Sequence, residues 1–213
     1  MGYIVNLVLD GRLAVVVGGG EVASRKVEDL LAANARVTVI APEPCEAVTA
    51  MADRGRIQAH WRPYQPGDLD DAAIVIASTD DETVNAQVSR DAVERHLPVN
   101  VVDRPALCTF TVPATVSRGD LKLAIATEGR CPALSSILRE EMEGRYGDEY
   151  GPLVDLFADL RLKMIGLRWD GRKIRATLKQ IYHDGVMDLL AAADPNPLET
   201  FLLAHLGESF PLH

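Results

Sequence analysis

The stretch Leu13-Ala14-Val15-Val16-Val17-Gly18-Gly19-Gly20-Glu21-Val22-Ala23 opens on five apolar residues and turns on three glycines. A strand with one wet face alternates apolar and polar residues, whereas an unbroken apolar run fits a strand buried on both faces, as in a parallel sheet. The glycines fit G-x-G-x-x-A, and they stand where that pattern has a mechanism, between a buried strand and a helix start. Gly18 permits the tight turn, Gly20 lets the backbone approach a pyrophosphate, and Ala23 lets helix and strand pack closely. The helix start adds free amide donors and a partial positive charge. The alternative reading is a tight turn with no ligand.

Working outward, Glu21 to Asn34 has helical spacing, with Val22, Val27, Leu30 and Leu31 among charged neighbours, and Arg36 to Ala41 is a second strand. Together with the first strand they make one βαβ unit. The alternation continues with a helix over Cys45–Arg54, a short strand over Ile57–Trp61, turns over Pro63–Leu69 and a strand over Ala72–Ala77. A helix over Asp81–His96, capped by Asp80 or Asp81, and a strand over Pro98–Val102 follow. This pattern predicts an α/β fold, a Rossmann-type doubly wound parallel sheet.

Beyond it the pattern changes. Thr109–Val116 and Leu121–Thr127 read as a β-hairpin joined by Ser117-Arg118-Gly119-Asp120. Pro132–Arg145, Leu153–Leu167, Ile174–Ala193 and Pro197–Leu206 read as helices, the last two separated by Asp194-Pro195-Asn196-Pro197. Three regions are therefore expected: 1–112, an NAD-binding domain; 113–147, a hairpin-plus-helix dimerisation element; and 148–213, a helical C-terminal domain. The middle piece is too small for a core of its own, so it is expected to pack on a neighbour or on a second copy, giving a homodimer.

Composition narrows the function. The chain has 213 residues, 47% hydrophobic and 25% charged, with Lys+Arg 22 against Asp+Glu 31 and a net charge of -9. Such a body does not suit nucleic acid, which is bound by a cationic face, but it does not exclude an anionic substrate in a local basic pocket. No apolar run reaches the roughly 20 residues of a membrane span. The first twenty residues lack the pattern of a secretory signal. Cys45, Cys108 and Cys131 are far apart, without zinc spacing, and are read as reduced thiols of a cytoplasmic protein. His60, His96, His183, His205 and His213 show no metal-ligand spacing, so no metal ligand is assigned.

In open α/β sheets, ligands lie at the carboxyl ends of the strands. That rule, with the glycine turn, makes Gly18, Gly19, Gly20, Glu21, Val22, Pro42, Glu43, Ser78, Thr79, Asn100 and Val101 the candidate cofactor-binding residues. Glu43 is the candidate selector of the adenosine ribose, and its other reading is an exposed carboxylate at a helix start. No Arg stands in Ile40–Glu46 to receive a 2′-phosphate, which favours NAD over NADP. Asp103, after the last parallel strand, is a general base or a turn residue on position alone. Arg25, Lys26, Arg104, Arg118, Lys122 and Arg130 are the cations available for an anionic substrate.

Val17-Gly18-Gly19-Gly20-Glu21-Val22-Ala23-Ser24-Arg25-Lys26 resembles the VGGGxVAxRK opening of the precorrin-2 dehydrogenase family, the N-terminal module of siroheme synthases. Ala77-Ser78-Thr79-Asp80-Asp81 with Val84-Asn85, Asn100-Val101-Val102-Asp103, Phe110-Thr111-Val112-Pro113-Ala114 and Ala126 to Leu134 resemble further segments of that family, in order, across residues 1 to about 145. The last segment departs from the family at Glu128 and Cys131. The resemblance implies oxidation of precorrin-2 to sirohydrochlorin with NAD⁺, in siroheme biosynthesis. It implies Asp103 as the catalytic residue, and Thr127, Gly129 and Arg104 as substrate-binding residues. Some members also insert Fe²⁺, so ferrochelatase activity is left open. A non-enzymatic NAD-sensing module is the alternative, and it would not need Asp103 or the segments after it. A Rossmann dehydrogenase acting on a small acid is disfavoured, because no catalytic His or Tyr–Lys pair presents itself.

Overall fold

The computed structural model describes residues 2–192 and 195–207. The chain divides into two compact units between Val112 and Pro113.

In the first unit five strands, β1 (Leu13–Val17), β2 (Arg36–Ile40), β3 (Gln58–His60), β4 (Ile74–Ala77) and β5 (Val99–Val101), form one sheet in the order β3-β2-β1-β4-β5. Every pair is parallel. Successive strand residues serve opposite faces, which is why the strands read as unbroken apolar runs. Ala14, Val16, Val37, Val39, Ile74 and Ile76 pack on one side against α1 (Glu21–Ala32) and α2 (Glu46–Asp53). Val15, Val17, Val75, Ala77, Val99 and Val101 pack on the other against α3 (Glu82–Glu94) and Leu69. The doubly wound α/β architecture is as expected.

The helix ends have local causes. Asp81 caps α3 by accepting from the N–H groups of Thr83 and Val84. Just past the C-caps of α1 and α3 the chain turns left-handed, at Asn34 (φ 58°) and His96 (φ 57°), which stops each helix.

The second unit starts with the antiparallel hairpin of β6 (Ala114–Arg118) and β7 (Leu121–Ile125), in which Arg118 pairs with Leu121 across a two-residue turn. The first hairpin strand was expected from Thr109. Instead Thr109 belongs to the first unit: its N–H donates to Val99 O at 2.8 Å, and its Oγ1 accepts from Val99 N at 2.8 Å. Thr109 and Phe110 bond to β5 instead, and Ser117 and Arg118, expected in the turn, are strand. α4 (Pro132–Arg145) has the expected bounds, with Pro132 in its first turn.

Then come α5 (Tyr150–Gly166), α6 (Gly171–His183), α7 (Val186–Ala192) and α8 (Pro195–Leu206). The single helix expected over Ile174–Ala193 is two. The break is at Asp184-Gly185, where Gly185 has φ 104°, a conformation glycine tolerates and other residues rarely adopt. Pro195 and Pro197, expected to separate helices, lie in the first turn of α8, where a missing N–H costs nothing. Ala193, Asp194 and His213 lie outside the described residues. Leu156, Leu160, Met164, Ile181, Val186 and Leu202 form the core of these helices.

Candidate functional site

The three glycines of the β1–α1 turn are there for three different reasons. Gly18 has φ 122°, and a Cβ on it would lie 2.6 Å from Ser78 O. It is required by the backbone and by contact with the end of β4. On Gly19 a Cβ would lie 2.7 Å from that of Ala41 and 2.8 Å from Pro44 Cα, so it is required by the chain leaving β2. Gly20 has an ordinary φ of −80°, and a Cβ there would meet nothing within 4 Å. Neither sterics nor packing demands glycine at that position. What remains is close approach from outside, at a helix start whose N-cap has no side chain to satisfy the amides.

The turn is fastened to both neighbouring strands. Gly18 N donates to Ile40 O at 2.9 Å, Cys45 N to Gly19 O at 2.7 Å, and Ser78 N to Val17 O at 2.8 Å. It therefore stands between β2 and β4 where the strand order reverses, the place at which open α/β sheets take ligands. Ser78 Oγ is buried there and has no hydrogen-bond partner among the described residues. A buried hydroxyl without a partner is costly, and a ligand oxygen would relieve it. These features fit a dinucleotide.

The strand register aligns the remaining candidates. Val17 pairs with both Ile40 and Ala77, and Ala77 with Val101. Gly18 to Val22, Pro42, Glu43, Ser78, Thr79, Asn100, Val101 and Asp103 thus share the carboxyl edge of one sheet. Pro42 and Glu43 are exposed just past β2. Asn100 Nδ2 donates to Phe110 O at 3.1 Å. Asp103 is exposed, with φ 58°. Val102 N donates to Ala77 O at 2.9 Å and Arg104 N to Val101 O at 3.2 Å, so the turn that carries Asp103 is fixed while its carboxylate has no partner among the described residues. Arg104 is ion-paired with Glu82.

Thr127 and Gly129 belong to the second unit. Thr127 Oγ1 lies 3.1 Å from Ser135 Oγ and accepts from Cys131 N at 3.3 Å, standing in for a cap at the start of α4. Glu128 and Gly129 both have positive φ, 55° and 70°. Of the cations proposed for a basic pocket, Arg118 has another task. It donates to Tyr146 O at 2.9 Å and Glu143 O at 3.2 Å, tying the hairpin to the end of α4. Among the described residues no group of three or more His, Cys, Asp or Glu is gathered to hold a metal ion, and no helix is long and apolar enough to cross a membrane.

Two positioning residues were absent from the sequence-based site. Asn85, on α3 and 5% exposed, holds the loop after β4 through Thr79. An amide on the buried face of an amphipathic helix was the available signal. Cys108 Sγ lies 3.2 Å from both Val101 N and Val101 O and 3.3 Å from Arg104 O, bracing the Asp103 turn. A lone cysteine gave no signal.

A parallel sheet in the order 3-2-1-4-5, a glycine turn at its switch point and an uncapped helix start define a Rossmann-type dinucleotide-binding protein. A family model described as "Putative NAD(P)-binding" matches residues 5–114, and the chain belongs to that family. It is 39% identical over 199 residues to a siroheme synthase of Pseudomonas aeruginosa PAO1, covering 93% of this chain and 43% of that protein. It is 45% identical over 153 residues to a siroheme synthase of Methylobacillus flagellatus, covering 72% and 33%. The chain thus spans less than half the length of these relatives. Among solved structures it matches SirC, a precorrin-2 dehydrogenase, with a TM-score of 0.74 and 25% identity, covering 97% of this chain and 100% of that one.

Proposed function

We propose that this chain oxidises precorrin-2 to sirohydrochlorin with NAD⁺, in the biosynthesis of siroheme. The observation that carries the reading is the likeness to a precorrin-2 dehydrogenase along both whole chains. The exposed Asp103 carboxylate on the same sheet edge as the glycine turn supports it. When bound, NAD⁺ supplies the hydride acceptor. Gly18 to Val22 hold its pyrophosphate, Glu43 its adenosine ribose, and Pro42, Ser78, Thr79, Asn100 and Val101 line the bed between. The substrate would lose a hydride, which carries both electrons, with bound NAD⁺ as acceptor, and a proton, which Asp103 would take. From its exposed position Asp103 passes that proton to water. Thr127, Gly129 and Arg104 bind the substrate.

NAD⁺ is preferred to NADP⁺ because Ile40–Glu46 offers no Arg. Arg62, beyond β3, is held by Asp68 at 2.5 and 2.8 Å. The proposal includes a cytoplasmic homodimer formed through residues 113–147, with Fe²⁺ as the candidate second substrate. The test is anaerobic incubation with precorrin-2 and NAD⁺, followed by Fe²⁺, reading the tetrapyrrole spectrum at each stage. One NADH per macrocycle and a sirohydrochlorin spectrum are expected. NAD⁺ binding without turnover would overturn the enzymatic reading and leave a nucleotide-sensing module.

A further inference from the structure

In the second unit a cleft of about 610 Å³ opens between α5 and α6, within the range of small-molecule sites, roughly 300–1,000 Å³. Phe157, Trp169 and Tyr182, with Ile165, Ile174 and Leu178, give it an apolar lining that is half aromatic. Its cations are Arg161, Arg175 and Lys179, all exposed and none in an ion pair among the described residues. Among the described residues no carboxylate lines the cleft. The charge pattern is local and contrary to the whole. On a chain of net charge -9, the α6 segment Gly171–His183 carries Arg172, Lys173, Arg175 and Lys179 and no acidic residue. Lys173, which does not line the cleft, lies over the Trp169 ring, 3.6 Å from its centroid, while Arg161, Arg175 and Lys179 have no such partner among the described residues.

Aromatic walls bind a flat apolar body by its faces, and unpaired guanidinium and ammonium groups bind carboxylates at its edge. We propose that this cleft is a binding site for a planar, apolar ring bearing several carboxylates, of the tetrapyrrole class on which the proposed reaction acts. The inference rests on that functional reading for the identity of the ring. None of its residues is among the strand-end residues assigned to catalysis, and every one lies in α5, α6 or the turn between them.

The test uses the full chain carrying Trp61→Phe, so that Trp169 is the only indole. Titration with a free-base octacarboxylate porphyrin is expected to quench Trp169, and a tetracationic porphyrin to leave it unquenched. Adding Arg175→Glu and Lys179→Glu, both on an exposed face, should weaken porphyrin binding by about tenfold or more. Circular dichroism should show helix content intact. Unchanged porphyrin affinity in that variant overturns the proposal, even if precorrin-2 is oxidised normally. Absence of oxidation with Trp169 quenching lost in the variant condemns the enzymatic reading and not the cleft. If polyglutamate binds as tightly and displaces the porphyrin, the ring adds nothing and the site belongs to an acidic protein segment, which also overturns the proposal.

Discussion

Asn85 holds Thr79 by three hydrogen bonds. Its Nδ2 donates to Thr79 O at 2.7 Å, and its Oδ1 accepts from Thr79 N at 3.2 Å and Thr79 Oγ1 at 2.9 Å. The clasp joins the first turns of α3 to the loop that leaves β4, next to the unpartnered Ser78 Oγ. Asn85→Leu removes the partner of Thr79 N and of Thr79 O, while Thr79 Oγ1 keeps its bonds to Asp81, and such losses cost about 1–3 kcal/mol each at most when buried. Denaturant titration should show a stability loss of about 2 kcal/mol or more. NAD⁺ affinity should fall as well, because the loop bearing Ser78 is released. Unchanged stability would show that the clasp contributes nothing.

Glycines 18 and 20 should respond in opposite ways. Gly18→Ala forces a Cβ against the Ser78 backbone at an unfavourable φ, and the protein should be strongly destabilised, by about 2 kcal/mol or more. Gly20→Asp has room, and its carboxylate can cap α1, so stability should hold or rise by up to about 1 kcal/mol. The same carboxylate repels pyrophosphate, so NAD⁺ affinity should collapse. Melting temperature and NAD⁺ titration measured together check both, and unaltered affinity in Gly20→Asp would remove this turn from the cofactor site.

Asp103 occupies a left-handed conformation, which Asn tolerates better than Ala. Asp103→Asn is therefore the cleaner test, with stability changed by less than about 1 kcal/mol. Loss of a general base should lower kcat about 10²–10⁴-fold with NAD⁺ affinity retained. An effect confined to KM would instead make Asp103 a residue that orients the substrate.

On α4, Leu134 and Ile137 are 44% and 53% exposed in the single chain. Such residues are expected in an interface between copies. Ile137→Glu should convert a dimer to a folded monomer in light scattering. Wild-type protein that is monomeric at all accessible concentrations would sink the dimer itself.

His205 links α8 to the end of α6. Its Nδ1 donates to Phe201 O at 2.8 Å and its Nε2 to Asp184 Oδ2 at 2.9 Å. The Phe201 carbonyl first, and Asp184 second, raise its pKa above the ordinary 6.5. A raised folded-state pKa means the protonated form is the stabilising one. That stabilisation is complete below pH 6.5 and is lost as the pH rises through the raised value. Unfolding measured across that window should show the decline, and His205→Gln should flatten it.

The sequence by itself determined the parallel strands of the first unit and its glycine turn. Strands buried on both faces must be apolar throughout, so Leu13–Val17 and Ile74–Ala77 were legible as parallel strands, and the glycine turn between strand and helix named its ligand class. Pro132 marked the start of α4 because proline is tolerated in a first helical turn. Tertiary structure alone decided where Thr109 and Phe110 go, since their β-forming character suits a hairpin as well as the flank of β5, and only the hydrogen bonds to Val99 choose. It also separated the three glycines by what each would strike, gave Arg118 to the α4 carboxyl end, and brought Phe157 and Arg161 opposite Arg175 and Lys179. Local propensity and periodicity are written into neighbouring residues. Pairings between distant segments arise only when the chain closes on itself, and no short pattern records them.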